Sequence, residues 1–159
     1  MGLFGFGGTK PPEIEAIETD VKRLEQDIRK MFLHRPITNE EMMERSFTGE
    51  PLNPLEFAKQ LIKVVRNAKI LELIDQKAGD PRYQKQLRGN LREKAAEISY
   101  ECSELIKALE HHIEWSRKVL TYITERPIAE AIRNEMVFMQ QLVRELMRLM
   151  EIALRIKQR

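Results

Sequence analysis

The stretch IAEAIRNEMVFMQQLVRELMRLMEIALRI, residues 128–156, sets the fold class of this chain. Its apolar side chains recur at alternating spacings of four and three residues, which is the period of one face of an α-helix. We call this row of residues the seam of the helix, and all its members except Glu135 are apolar. The members are Ile128, Ile132, Glu135, Met139, Leu142, Leu146, Leu149, Ala153 and Ile156, with Met136, Val143 and Met150 beside them. The stretch therefore predicts a long amphipathic helix that buries one side.

A second long helix of the same kind precedes it. Its seam consists of Leu91, Ala95, Ile98, Cys102, Leu105, Leu109, His112, Ser116, Val119 and Ile123. Arg126 and Pro127 interrupt the helical pattern, and a short turn between two long helices makes them antiparallel neighbours. A turn centred on Arg126 sets His112 opposite Met139 or Gln140, and sets Ser116 opposite Glu135 or Met136.

The rest of the chain predicts shorter helices that end at Gly or Pro. Asn53 before Pro54 and Asp80 before Pro81 are N-cap patterns. We predict helices at about 13–33, 39–47, 54–77, 81–88, 91–125 and 127–157. The expected fold is all-α: an antiparallel helical bundle built on a long C-terminal helical hairpin, with a flexible Gly/Phe-rich tip (1–12) and a single helical domain (13–159).

The first predicted helix has a narrow apolar seam like that of a coiled coil. Two interpretations stay open: the helix is a fourth member of the bundle, or it is an arm that reaches a partner chain.

Composition excludes several classes of protein. The formal net charge is +2, so no strong overall field attracts nucleic acid or membrane. A single cysteine, Cys102, excludes an internal disulfide framework and suits a reducing compartment. No apolar run approaches the roughly 18 residues of a membrane span. We expect a cytoplasmic protein.

The segment LEHHIEW, residues 109–115, is the strongest candidate for chemistry because it holds two of the three histidines. A di-iron site in a helical bundle needs Glu-x-x-His, and no histidine of this chain has glutamate three residues before it. His111 with Glu104 or Glu114 lies on one helix, which does not define a site. Cys102 and His112 would be about 15 Å apart on one helix. We expect no enzymatic activity and no cofactor; a small helical metalloprotein that uses the histidine pair is an alternative.

Polar residues interrupt the apolar seams of the hairpin. The predicted polar layer consists of His112, Ser116, Glu135 and Gln140. We interpret it as a layer that fixes helix register, and a pH-sensitive or ligand-binding spot is the alternative. The first interpretation predicts that His112→Leu keeps the fold intact and can raise its melting temperature.

Basic residues concentrate between Lys59 and Lys94, where the sequence contains ten Lys and Arg but four Asp and Glu. The predicted basic face consists of Lys59, Lys63, Arg66, Arg82, Lys85, Arg88 and Arg92. Such a face can meet nucleic acid phosphates, anionic lipid or an acidic partner surface, so a peripheral binder of nucleic acid or anionic membrane is an alternative function; a solvated helix face is the simpler interpretation. Only Tyr83 supplies an aromatic ring there, so single-strand stacking is not expected.

The chain begins MGLFGFGG, an uncharged segment with two phenylalanines among glycines. Three interpretations are open: a disordered start, an anchor that dips into a membrane, and a hook that inserts into a groove on a partner, which we favour. The leading function is a non-enzymatic helical adaptor or structural subunit of a larger assembly, which binds a protein partner or a second copy of itself, with no small-molecule substrate. The expected partner-binding residues are Phe4, Phe6, Ile14, Ile17, Val21, Leu24, Ile28, Ile70, Leu73 and Ile74.

Overall fold

A computed structural model describes residues 10–33, 38–45 and 49–159. Within these ranges the chain is helical and contains no strand. The helices are α1 (Pro12–Leu33), α2 (Asn39–Glu44), α3 (Pro54–Gln76), α4 (Pro81–Gln84), α5 (Leu91–Leu120) and α6 (Arg126–Lys157). The predicted all-α class is confirmed. None of the described helices combines the length and the apolarity that crossing a membrane requires.

The long hairpin of α5 and α6 is the centre of the fold, and these two helices share the most extensive contact in the structure. Side chains at the middle of both seams, such as Leu109, Met139 and Leu146, have no exposed surface. Helix α3 packs against both members of the hairpin. The predicted C-terminal hairpin is therefore the framework on which the other helices are placed.

The connection within the hairpin is longer than predicted, because α5 ends at Leu120 and not near residue 125. The Thr121 hydroxyl donates a hydrogen bond to the Lys118 carbonyl, and the backbone N–H of Thr121 also bonds to that carbonyl. A threonine that bonds locally to the backbone in this way competes with the regular helix. The contact of His112 is consequently with Glu135, one helical turn nearer the connection than expected.

Two other predicted helices are also shorter in the structure. Helix α2 ends at Glu44 and α4 ends at Gln84, whereas the sequence pattern predicts residues 47 and 88. The starts of α2 and α4 are explained by their N-caps, whereas their ends are not. Thr38 forms a capping box with Glu41, and the Asp80 carboxylate accepts a hydrogen bond from the Arg82 N–H.

Helix α1 lies along α3 of the same chain, so it is a member of the bundle. Val21 and Ile28 belong to the main core. Ile14 joins a second cluster with Ile70, Leu73, Ile74 and Tyr83, at the other end of the helix. Ion pairs accompany this packing, since Glu18 accepts from Lys10 at 2.9 Å and from Arg66 at 3.4 Å.

This packing shows where most of the predicted partner-binding residues lie in the chain. Ile14, Val21, Ile28, Ile70, Leu73 and Ile74 are all buried within the chain, and Ile17 and Leu24 are half-buried against the core. The narrow seam of α1 and the apolar second half of α3 cover each other. Phe4 and Phe6 lie outside the described residues.

Candidate functional site

Three polar side chains from separate elements meet beside the hairpin. His112 comes from α5, Glu135 from α6, and Glu50 from the segment that precedes α3. The side chain of His112 has no exposed surface, and those of Glu50 and Glu135 are 4% and 8% exposed. We call this group the Glu–His–Glu cluster. Burial of two carboxylates beside an imidazole is uncommon, because charged groups lose their hydration energy there.

The imidazole lies between the two carboxylates. Its Nε2 atom is 3.2 Å from Oε1 of Glu135 and 3.4 Å from Oε1 of Glu50. One ligand atom from each of the three residues can be chosen so that all lie within 4.8 Å of one another. The lone pairs of the cluster therefore converge on one small volume.

Apolar and aromatic side chains surround one side of the cluster. The ring centroids of Trp115 and His112 are 5.2 Å apart, and the angle between the two ring planes is 44°. Trp115 in turn packs with Met42, Val119 and Ile132. This is the only tryptophan of the chain, so its fluorescence reports on the environment of the Glu–His–Glu cluster.

The chain before α3 places Glu50 over the hairpin. Leu52 is buried in the main core, and the Asn53 side chain caps α3 by accepting the N–H groups of Leu55 and Glu56. Pro51 and Pro54 keep this segment out of a helix. The buried Leu52 and the capped start of α3 thus fix the backbone that follows Glu50. The Glu50 side chain is consequently held beside the hairpin.

Sequence reasoning identified two members of the cluster and missed the third. Periodicity placed His112 and Glu135 in facing seams, and the structure brings them together. Glu50 lies in an irregular segment, where no period marks a residue as buried. The only available signal was a carboxylate placed beside Pro51 and an apolar residue, which is common in ordinary loops.

The other members of the predicted polar layer lie elsewhere. Ser116 is buried on α5, one turn beyond His112. Gln140 lines a surface cavity of about 360 Å³ together with Glu110, Ile113 and Arg117, among others. The predicted histidine pair does not form a joint site either, since His111 is exposed whereas His112 is enclosed.

Cys102 is buried in the main core. Burial raises the pKa of its thiol to about 12, and the nearby Glu101 carboxylate adds to this effect. The thiolate is the reactive form, so this cysteine is a poor nucleophile at neutral pH.

We expect alkylation of Cys102 by iodoacetamide at pH 8 to be at least about a hundredfold slower in the native protein than in urea, because the folded state suppresses both ionisation and access. Mass spectrometry of timed samples measures the rate. The chain has one cysteine, so Cys102→Ser gives the background directly. Similar rates in the folded and unfolded states would contradict the burial of this side chain.

The predicted basic face is interrupted by acidic partners. Arg66 pairs with Glu18 of α1, and Arg82 pairs with Asp80 at 2.9 Å. The Arg82 guanidinium holds the pKa of the Asp80 carboxyl below its usual value. Six members of the face are exposed and Arg66 is half-buried; the exposed members are Lys59, Lys63, Arg82, Lys85, Arg88 and Arg92.

Comparisons of this chain with protein-family models, with curated proteins and with solved structures find no match.

Proposed function

We propose that this protein is a non-enzymatic helical adaptor or structural subunit of a larger protein assembly in the cytoplasm. Its partner contact is made by the apolar N-terminal segment that carries Phe4 and Phe6. The partner is another protein or a second copy of this chain.

The anchored start of α1 carries this proposal. Pro11 is buried, and Lys10 pairs with Glu18 at 2.9 Å. Because α1 is packed along α3, Lys10 and Pro11, the first described residues of the chain, have a defined position on the fold. A partner that binds Phe4 and Phe6 is therefore held close to one end of the bundle.

The burial of the helix seams supports the same assignment. Most apolar residues of the α1 and α3 seams are buried inside the chain, although Leu55 of α3 is 53% exposed, so these two seams offer little apolar surface to a partner. Burying one phenylalanine contributes about 1.5–3 kcal/mol, so two of them can supply a useful part of a protein contact.

The chemistry of the described side chains supports a function other than catalysis. The Cys102 thiol is protonated at neutral pH because burial raises its pKa to about 12. The His112 imidazole is enclosed by the Glu–His–Glu cluster and by Trp115. Neither group is presented to a substrate from solution.

Native mass spectrometry tests the proposed assembly. The full chain, purified from its native cells at moderate salt, is expected to have the mass of a homo-oligomer or of a complex with defined stoichiometry. Phe4→Ser/Phe6→Ser is expected to weaken this complex at least about tenfold, since it removes more than about 1.4 kcal/mol of apolar contact.

The matched control replaces two exposed apolar residues of the folded surface, Tyr100→Ser/Val137→Ser, and is expected to retain the complex. A monomer in both the parent and the control would contradict the proposal. A complex that survives the phenylalanine changes but dissociates between about 50 and about 200 mM salt would instead indicate binding through the basic face.

A further inference from the structure

We propose that the Glu–His–Glu cluster, Glu50, His112 and Glu135, is a binding site for one divalent transition-metal ion, with Zn²⁺ as the ion that fits best. This inference is independent of the proposed adaptor function. It differs from a site made by the histidine pair, because His111 takes no part in it.

The donor set selects the class of ion. An imidazole nitrogen with two carboxylate oxygens is a common ligand set for Zn²⁺, whose sites use histidine, cysteine and acidic side chains. Calcium and magnesium ions take six or more oxygen ligands and usually keep several waters. Three ligand residues that include a histidine, at 0–8% side-chain exposure, therefore favour a transition metal.

The distances suit a single ion. Metal–ligand bonds of about 2.0–2.2 Å in a tetrahedral site leave the ligand atoms roughly 3.3–3.5 Å apart. The Nε2 atom of His112 is 3.2 Å from one carboxylate oxygen and 3.4 Å from the other. All three ligand atoms, including the two carboxylate oxygens, can be chosen within 4.8 Å of one another.

Hydrogen-bond chemistry gives a second argument. The Nε2 atom faces two carboxylate oxygens, yet an imidazole nitrogen carries at most one hydrogen and can direct it well at only one of them. A cation placed among the three atoms interacts with both carboxylates and with the nitrogen at once. A charge of +2 is also attracted strongly to two buried carboxylates, because the low dielectric of the interior strengthens the interaction between opposite charges.

The elements that hold the ligands are distant in sequence. Glu50 precedes α3, whereas His112 and Glu135 lie on the two members of the hairpin. A bound ion consequently links the segment before α3 to the hairpin, and binding free energy is added to folding free energy.

Zinc titration of the chelator-treated full-length protein tests the site. Calorimetry is expected to give one ion per chain, and Trp115 fluorescence is expected to change in parallel because its ring lies 5.2 Å from that of His112. At a free Zn²⁺ concentration about 100 times the Kd, the melting temperature is expected to rise by roughly 5–10 °C.

Two conservative variants, Glu50→Gln and Glu135→Gln, assign the ligands. Each is expected to weaken binding by about a hundredfold or more, since loss of a direct ligand costs at least as much as loss of a supporting group. His111→Gln is the matched control on the exposed neighbour and is expected to bind as the parent does. Circular dichroism without metal shows that each variant is folded before it is titrated.

Failure of the parent protein to bind Zn²⁺ at micromolar concentration would overturn the proposal. Binding that persists in both glutamine variants, or that His111→Gln abolishes, would also overturn it by showing an adventitious surface site. None of these results bears on the assembly experiment, which is carried out with a chelator present.

Discussion

Leucine at position 112 is expected to destabilise the folded protein by about 3–5 kcal/mol, although the seam around this position is apolar. The imidazole of His112 lies between the carboxylates of Glu50 and Glu135, at 3.4 and 3.2 Å. His112→Leu removes the shared partner and leaves both acidic groups buried at 4% and 8% side-chain exposure. The free-energy cost of burying those carboxylates without the imidazole exceeds the free energy gained by burying one additional apolar side chain.

This expected result reverses what the sequence pattern indicated. The interpretation of the polar layer as one that fixes register predicts that His112→Leu keeps the fold intact and can raise the melting temperature. The structure places Glu135 in contact with His112 and adds a second buried carboxylate, Glu50, which has no place in the helical pattern. Removing one residue from a buried cluster of interacting polar side chains destabilises the fold far more than replacing all of them with apolar residues.

Urea denaturation at pH 7 with a chelator present measures the effect without any contribution from metal. Far-ultraviolet circular dichroism is the suitable signal, since the change lies next to Trp115 and alters its fluorescence directly. His111→Leu is the matched control, and its exposed position predicts a change within about 0.5 kcal/mol.

The triple variant Glu50→Leu/His112→Leu/Glu135→Leu completes the design. It is expected to recover most of the lost stability, because it removes the buried charges together with their partner. If His112→Leu is as stable as the parent, the carboxylates do not depend on the imidazole, and the buried arrangement described above is wrong.

Shortening Ile28 to alanine is expected to cost about 2–5 kcal/mol of folding free energy. Ile28 is 1% exposed and belongs to the main core, together with residues of α3. The change leaves a cavity between α1 and its neighbours. An α1 that were an arm for a partner chain would unfold without affecting the rest of the protein, so this variant separates the two interpretations of the helix.

Trp115 fluorescence during urea denaturation is the informative measurement for Ile28→Ala. Trp115 packs in a separate cluster with Met42, Val119 and Ile132, and makes none of the core contacts of Ile28. A lower urea midpoint at this distant reporter shows that α1 is part of the cooperative unit. Lys22→Ala, on the exposed side of α1, is the control and is expected to leave the midpoint nearly unchanged.

An unchanged tryptophan transition in Ile28→Ala would contradict the packing of α1 on the bundle. A separate early loss of helical signal, with the tryptophan transition still at its parental midpoint, would do the same. Either result would return Ile14, Val21 and Ile28 to the set of candidate partner-binding residues.

The two predictions also show where local pattern was a reliable guide. The all-α class and the pairing of α5 with α6 followed from seams that repeat over many turns and from the break at Arg126 and Pro127. The starts of α3 and α4 followed from Asn53 and Asp80, whose side chains accept the first backbone N–H groups.

Helix ends and register were less predictable. The seam of α5 continues to Ile123, yet the helix ends at Leu120, where Thr121 bonds back to Lys118. Ending a helix a few residues early changes the partner of every side chain across the hairpin. His112 therefore meets Glu135, a pairing that a count from the expected turn did not produce.

The amino-acid sequence alone determined the helices and the long hairpin, because helical period and caps act between residues a few positions apart. Only the tertiary structure decided that α1 packs on α3 of its own chain and that Glu50 joins His112 and Glu135. Both outcomes depend on contacts between segments far apart in sequence, whose free energy comes from burying the two surfaces together. A narrow apolar seam has the same sequence pattern whether the helix packs on its own chain or on another. An irregular segment has no periodic pattern that shows which of its side chains is buried.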